Sequence, residues 1–112
     1  LDVTDGIFFL KSDGATTISF IVEKDSTQST LTLPNSLADD TFMTLGFIYD
    51  PRDQKFHVFQ NNVLAGTVVS TNAPDDEELT VSFGIQNGAA AAKTLTVDYI
   101  GASKERTATT EL

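Results

Sequence analysis

The chain contains no cysteine and no tryptophan, and only one histidine and one methionine. Without cysteine there are no disulfides and no thiolate metal sites, so core packing and sheet pairing carry the stability. Basic residues are also scarce: seven Lys and Arg stand against sixteen Asp and Glu, a net charge of −9. Such a surface repels a phosphate backbone, which argues against nucleic acid as a partner. No apolar run approaches the roughly eighteen residues that a membrane-crossing helix needs, so a membrane is not an expected partner. The acidic balance itself reads as a means to solubility and to suppression of self-association.

What the chain has is strand-forming composition. Its 112 residues suffice for one domain with one core, and Thr, Val, Ile and its eight Phe favour strands over helices. The organising stretch is Phe42 to Val69, "FMTLGFIYDPRDQKFHVFQNNVLAGTVV". Three alternating runs, 42–50, 54–60 and 63–71, are separated by the turn signals "DPRD" at 50–53 and "NN" at 61–62. Asn tolerates positive φ, so "NN" suits a tight type I′ turn. In 42–50, Met43, Leu45, Phe47 and Tyr49 share one face, and Phe42, Thr44, Gly46 and Ile48 the other. Both faces are largely apolar, which predicts a strand covered on both sides or central in a sandwich, with Gly46 marking a bulge or a close approach by a ring.

On the N-terminal side, 5–12 and 15–24 read as an antiparallel hairpin around Asp13-Gly14, with Ile18, Phe20 and Val22 on one face. "DSTQ" at 25–28 is the next turn. The strand 29–34 follows, with Leu31 and Leu33 inward and Pro34 ending it. "NSLADDTF" at 35–42 is a loop with room for one helical turn, capped by Asn35 or Ser36. Beyond the acidic connection 70–78, two further strands are expected at 79–87 and 93–102, with a small-residue turn at 88–93 between them. Eight short strands at spacings of about ten residues predict an all-β antiparallel sandwich of jelly-roll type. The expected organisation is one domain over 1–104 and a polar tail over 105–112.

Chemistry-bearing constellations are sparse. His57 lies mid-strand with no nucleophile signature around it, so it reads as an ordinary strand-face residue. Carboxylates cluster at Asp39-Asp40, at Asp50 with Asp53, and at Asp75 to Glu78. None shows the ordered ligand spacing of a calcium loop, and Arg52 puts a cation beside the second cluster. No strand pairs two carboxylates on one face as glycoside hydrolysis requires. No catalytic residue, metal site or cofactor is therefore expected, and the chain reads as a non-enzyme.

Residues 39–68 and 74–106 nevertheless resemble the C-terminal part of concanavalin A-like lectin and glucanase domains. The likeness rests on Phe47, Tyr49 and Asp50 ahead of Asn61-Asn62-Val63, and on Val97-Asp98-Tyr99-Ile100 in place of a common "VDYVRV" ending. The catalytic E-x-D-x-x-E strand of the laminarinase-type members has no counterpart, so the resemblance implies fold and not activity. Residues 74–106 are also similar to the tail of structural proteins of tailed-bacteriophage virions. That resemblance implies a capsid decoration protein on the virion surface, with the major capsid protein as partner and homo-oligomers on the lattice. The open first edge, Gly6, Ile7, Phe8 and Phe9, is the expected partner contact, because an unpaired edge invites a strand. The alternative is a carbohydrate-binding module, with Tyr49, His57 and Phe59 as the available aromatic platform.

Overall fold

The computed structural model describes residues 3–86, 90 and 92–104. The chain divides into two units, Leu1–Leu79 and Thr80–Leu112. All regular structure among the described residues lies in the first. It comprises β1 (Gly6–Leu10), β2 (Ser19–Lys24), β3 (Thr27–Thr32), β4 (Leu45–Asp50), β5 (Lys55–Gln60) and β6 (Val63–Val69), closed by a short 3-10 turn at Ser70–Asn72. The strands form two three-stranded antiparallel sheets, β1-β2-β3 and β4-β5-β6. The all-β class and the antiparallel pairing agree with the sequence reading.

Each sheet is a run of consecutive strands, and local turn chemistry explains why. Between β2 and β3, Asp25 and Ser26 both take positive φ, 49° and 62°, in a two-residue turn that puts Lys24 opposite Thr27. Between β5 and β6, Asn61 and Asn62 do the same at 52° and 63°, with Gln60 opposite Val63. Turns of this hand match the right-handed twist of the strands they join. The first connection is looser than the Asp13-Gly14 signal predicts. Gly14 does take φ 70°, but β1 ends at Leu10 and β2 begins at Ser19, leaving 11–18 as a loop.

The two sheets pack face to face around one core. Phe20 and Val22 from the first, with Ile18 and Leu33 at the ends of its strands, meet Phe56, Val58 and Val68 from the second, and Ile7, Phe9, Leu31, Met43 and Leu45 pack around them. Phe20 sits at the centre, its ring 5.2 Å from both Phe9 and Phe47 and 5.9 Å from Phe56. Offset, tilted ring pairs at these separations are the favourable geometry for aromatic side chains. The sheets come closest where β6 crosses β3. A Cβ placed on Gly66 would lie 3.0 and 3.1 Å from the two methyls of Leu31. The missing side chain is what lets the sheets meet there.

Residues 33–44 carry the chain from one sheet to the other. No helical turn forms at 35–42. Instead, the buried Gln60 accepts a hydrogen bond from the Asn35 N–H (3.0 Å) and donates to the Asn35 carbonyl (2.9 Å) and the Met43 sulfur (3.1 Å). A side-chain amide here satisfies the backbone groups that a helix would otherwise have paired.

Two further expectations are corrected. β4 is an edge strand and is not covered on both sides: Phe47, Ile48 and Tyr49 are 41%, 61% and 42% exposed. Gly46 marks no bulge. It pairs regularly with Phe59 and has open space where a Cβ would stand, while the bulge falls on β6, where Ala65 is the extra residue between Leu64 and Gly66.

In the second unit, the described residues at 80–86 and 92–104 form no strand, and their side chains are exposed. Alternation decides which side chains would share a face, but a strand exists only where a neighbour pairs its backbone. The tail at 105–112 and half of the small-residue turn at 88–93 lie outside the described residues.

Candidate functional site

The candidate site lies on the outer face of the second sheet, at the β4–β5 hairpin. β4 ends at Asp50, and Pro51 presets φ for the turn. The Asp50 carboxylate accepts the Arg52 N–H at 2.9 Å, an Asx-type closure, and then receives the Arg52 guanidinium itself. Nε reaches Oδ1 and Nη2 reaches Oδ2, each at 3.1 Å, a fork-to-fork pairing. Those side-chain bonds, helped by the backbone bond, hold the Asp50 carboxyl below the usual carboxylate range and raise Arg52 above its own.

One turn residue further, Asp53 divides its two oxygens. Oδ1 accepts the Lys55 N–H at 3.1 Å, and Oδ2 lies 3.0 Å from His57 Nε2. Gln54 takes φ 56°, and its carbonyl accepts the Ser70 N–H at 3.0 Å, which ties the turn to the end of β6. His57 itself sits on the central strand β5, opposite Ile48 on β4 and Thr67 on β6. In this register Asp50 and His57 are diagonal neighbours on one face. One ligand atom each from Asp50, Asp53 and His57 lie within 4.8 Å of one another. The His57 ring is thus oriented by a carboxylate, and among the described residues its hydrogen bond goes to Asp53 and to no hydroxyl nucleophile.

Along the same face, beyond His57, is a shallow hollow of ≈ 380 Å³ lined by Thr44, Gly46, Phe47, Ile48, Phe59 and Asn62. Gly46 leaves the floor open opposite the Phe59 ring. The rim is held by Asn61, which accepts the Thr44 N–H on its side chain at 3.0 Å and donates its own N–H to the Thr44 carbonyl at 2.8 Å.

Of the platform residues read from the sequence, the structure brings His57 and Phe59 onto this outer face. Tyr49 points the other way, its ring 4.9 Å from Phe56 on the inner face. The three do not form one surface, because Tyr49 differs from Ile48 by one position in a period of two. Gly6, Ile7, Phe8 and Phe9 do lie on an edge strand, β1, which pairs with β2 alone. Their side chains are at least half-buried, and Ile7 and Phe9 pack into the core, so what this edge offers is mainly backbone.

The remaining acidic clusters take ordinary roles. Asp75 binds Lys24, which also lies 4.0 Å from Asp76. The hydrogen bond to Lys24 lowers the Asp75 carboxyl, and the same bond raises Lys24. Asp40 takes φ 53° in a surface turn.

The sequence shows Asp50 with Asp53 as one cluster, but nothing in it brings His57 to that pair. What does so is the register. Once Asp50 closes a hairpin opposite Lys55, His57 must fall on the Asp50 face, two residues along. Gln60 was missed because alternation places it inward, where a strand ordinarily carries an apolar side chain.

No protein family, curated protein or solved structure matches the chain.

Proposed function

We propose that this chain is a non-enzymatic structural protein of a virion, a decoration protein that binds the outer capsid surface through strand edges, and that its fold is of the jelly-roll, concanavalin A-like type. The observation that supports it is β4. This edge strand exposes apolar side chains on both faces, Phe47 and Tyr49 on one and Ile48 on the other. Its one charge, Asp50, is met by Arg52 within the same turn. A regularly paired, locally neutral edge in a chain of net charge −9 suits pairing with a strand of another protein. The edge of β1 at Gly6 to Phe9 offers a second such contact. The resemblance of residues 74–106 to phage virion proteins points to the major capsid protein as the partner and to homo-oligomers set by lattice symmetry.

Co-sedimentation with capsids that lack this protein tests the reading. Saturable binding at a fixed ratio to the shell protein, abolished by Ile48→Lys in β4, is the expected result. Absence of binding by the folded wild-type chain overturns it.

The hollow favours a second reading, a carbohydrate-binding module. Phe59 offers a ring face, and Thr44 and Asn62 offer polar groups at its rim. A glycan screen that finds a ligand lost in Phe59→Ala supports this reading over the first.

A further inference from the structure

We propose that Asp50, Asp53 and His57 form a binding site for a divalent transition-metal ion, with zinc the best match. The inference is independent of the capsid reading. It rests on donor chemistry and placement together. Two carboxylates and an imidazole are a borderline ligand set that suits zinc, and the nitrogen donor disfavours calcium and magnesium, which take oxygen. Ligand atoms at zinc-bond lengths of about 2.0–2.2 Å in a tetrahedral arrangement stand roughly 3.3 Å apart. Here His57 Nε2 and Asp53 Oδ2 are 3.0 Å apart, and all three donors fall within 4.8 Å. Only the Asp50 carboxylate has to swing inward to complete the set.

The donors are also held by separate elements, as a built site requires. His57 is fixed on the central strand between two paired neighbours. Asp53 has one oxygen committed to the Lys55 N–H, which leaves the other for the metal. Asp50 is anchored at the end of β4 by the Arg52 N–H. The acidic run at 75–78 makes a useful contrast: it has more carboxylates but no nitrogen ligand, and its Asp75 is engaged by Lys24.

Arg52 gives the site a signature of its own. Its guanidinium holds both oxygens of Asp50 and so puts a positive charge on one of the three ligands. It competes with metal for one ligand, so its removal strengthens binding. An incidental accumulation of cations on an acidic surface would lack this response at one residue, and lack any dependence on His57.

The experiment is a titration of the ¹⁵N-labelled, tag-free chain with zinc chloride, followed by NMR, with calcium and magnesium chloride in parallel. The expected result is saturable one-to-one binding, with shifts confined to residues 50–57. His57→Gln and Asp53→Asn should weaken it by about tenfold or more, and Arg52→Ala should tighten it. Gln at 57 is chosen because it remains compatible with an outer strand face, and unchanged amide positions in β5 and β6 show that the hairpin is intact. Shifts spread over the 75–78 carboxylates, or a zinc response unchanged in His57→Gln, overturn the proposal. An equal response to calcium overturns the transition-metal assignment.

Discussion

The two sheets share a plan and differ at their central strands. β2 buries three consecutive side chains, Phe20, Ile21 and Val22, so both of its faces are closed at its middle. β5 buries Phe56, Val58 and Gln60 on one face, and leaves Lys55, His57 and Phe59 partly exposed on the other. The middle of a strand closed on both faces has no side chain left for solvent or a ligand. A strand buried on one face anchors the domain and presents chemistry on the other. The difference places the candidate site on the second sheet, with the first packed behind it.

Substitutions can break or sharpen this contrast. The largest effect is expected for Phe20→Ala, which opens a cavity where rings from both sheets meet. It should cost about 3–5 kcal/mol in urea unfolding. Phe59→Ala, on the partly exposed face, should cost less, about 1–2 kcal/mol. Equal losses would mean that the face of β5 carrying Phe59 is structural and that the proposed division of labour is wrong.

Next comes Gln60→Leu. The leucine keeps the volume but strips the Asn35 N–H and carbonyl of their partner, at a cost of about 1–3 kcal/mol. Amide exchange at Asn35 should accelerate along with the loss. A protected Asn35 in that variant would show that another group replaces the clamp.

Two glycines then give opposite signs. Gly66→Ala drives a methyl into Leu31 at the closest approach of the sheets and should destabilise by about 1–2 kcal/mol. Gly46→Ala meets no atom within 4 Å, so it should stabilise by about 0.5–1 kcal/mol through the lower entropy of the unfolded chain. It also narrows the hollow beside Phe59.

The smallest effects concern charge. The Asp50 carboxyl is lowered by Arg52, so the stability it contributes is present above the ordinary carboxylate range and is lost as the pH falls through its lowered value. Lys24 is raised by Asp75, so its contribution holds at neutral pH and is lost only as strongly alkaline pH passes its raised value. Urea midpoints of wild type and Arg52→Ala should therefore differ slightly at neutral pH and converge in strong acid. Both pairs are exposed, and added salt should shrink the difference.

Much of this architecture is legible in the residues. Asn61-Asn62 announces its turn, Phe20 and Val22 alternate as a core strand must, and the meander from β4 to β6 follows from turn and period alone. What is not legible is what depends on a neighbour. Phe47, Ile48 and Tyr49 are apolar on both faces, which implies cover, yet β4 stands at an edge. The alternation at 79–87 and 93–102 is as regular as that of β5, but no strand appears in their described residues, since a sequence encodes a face more plainly than a pairing. At the site, His57 and Asp53 are four residues apart, a spacing that means nothing until the turn between them is closed.

The link over 33–44 carries one last consequence. Each sheet consists of strands adjacent in the sequence, and this link is the only covalent tie between β3 and β4. If the Gln60 clamp releases Asn35, the link can straighten while every turn within the sheets stays intact. The first sheet of one copy can then dock on the second sheet of another and rebuild the same core across two chains. Exchange of this kind needs no new contact, only a longer path for the connection. The side chain that orders the crossover therefore also keeps the molecule's halves in the same molecule.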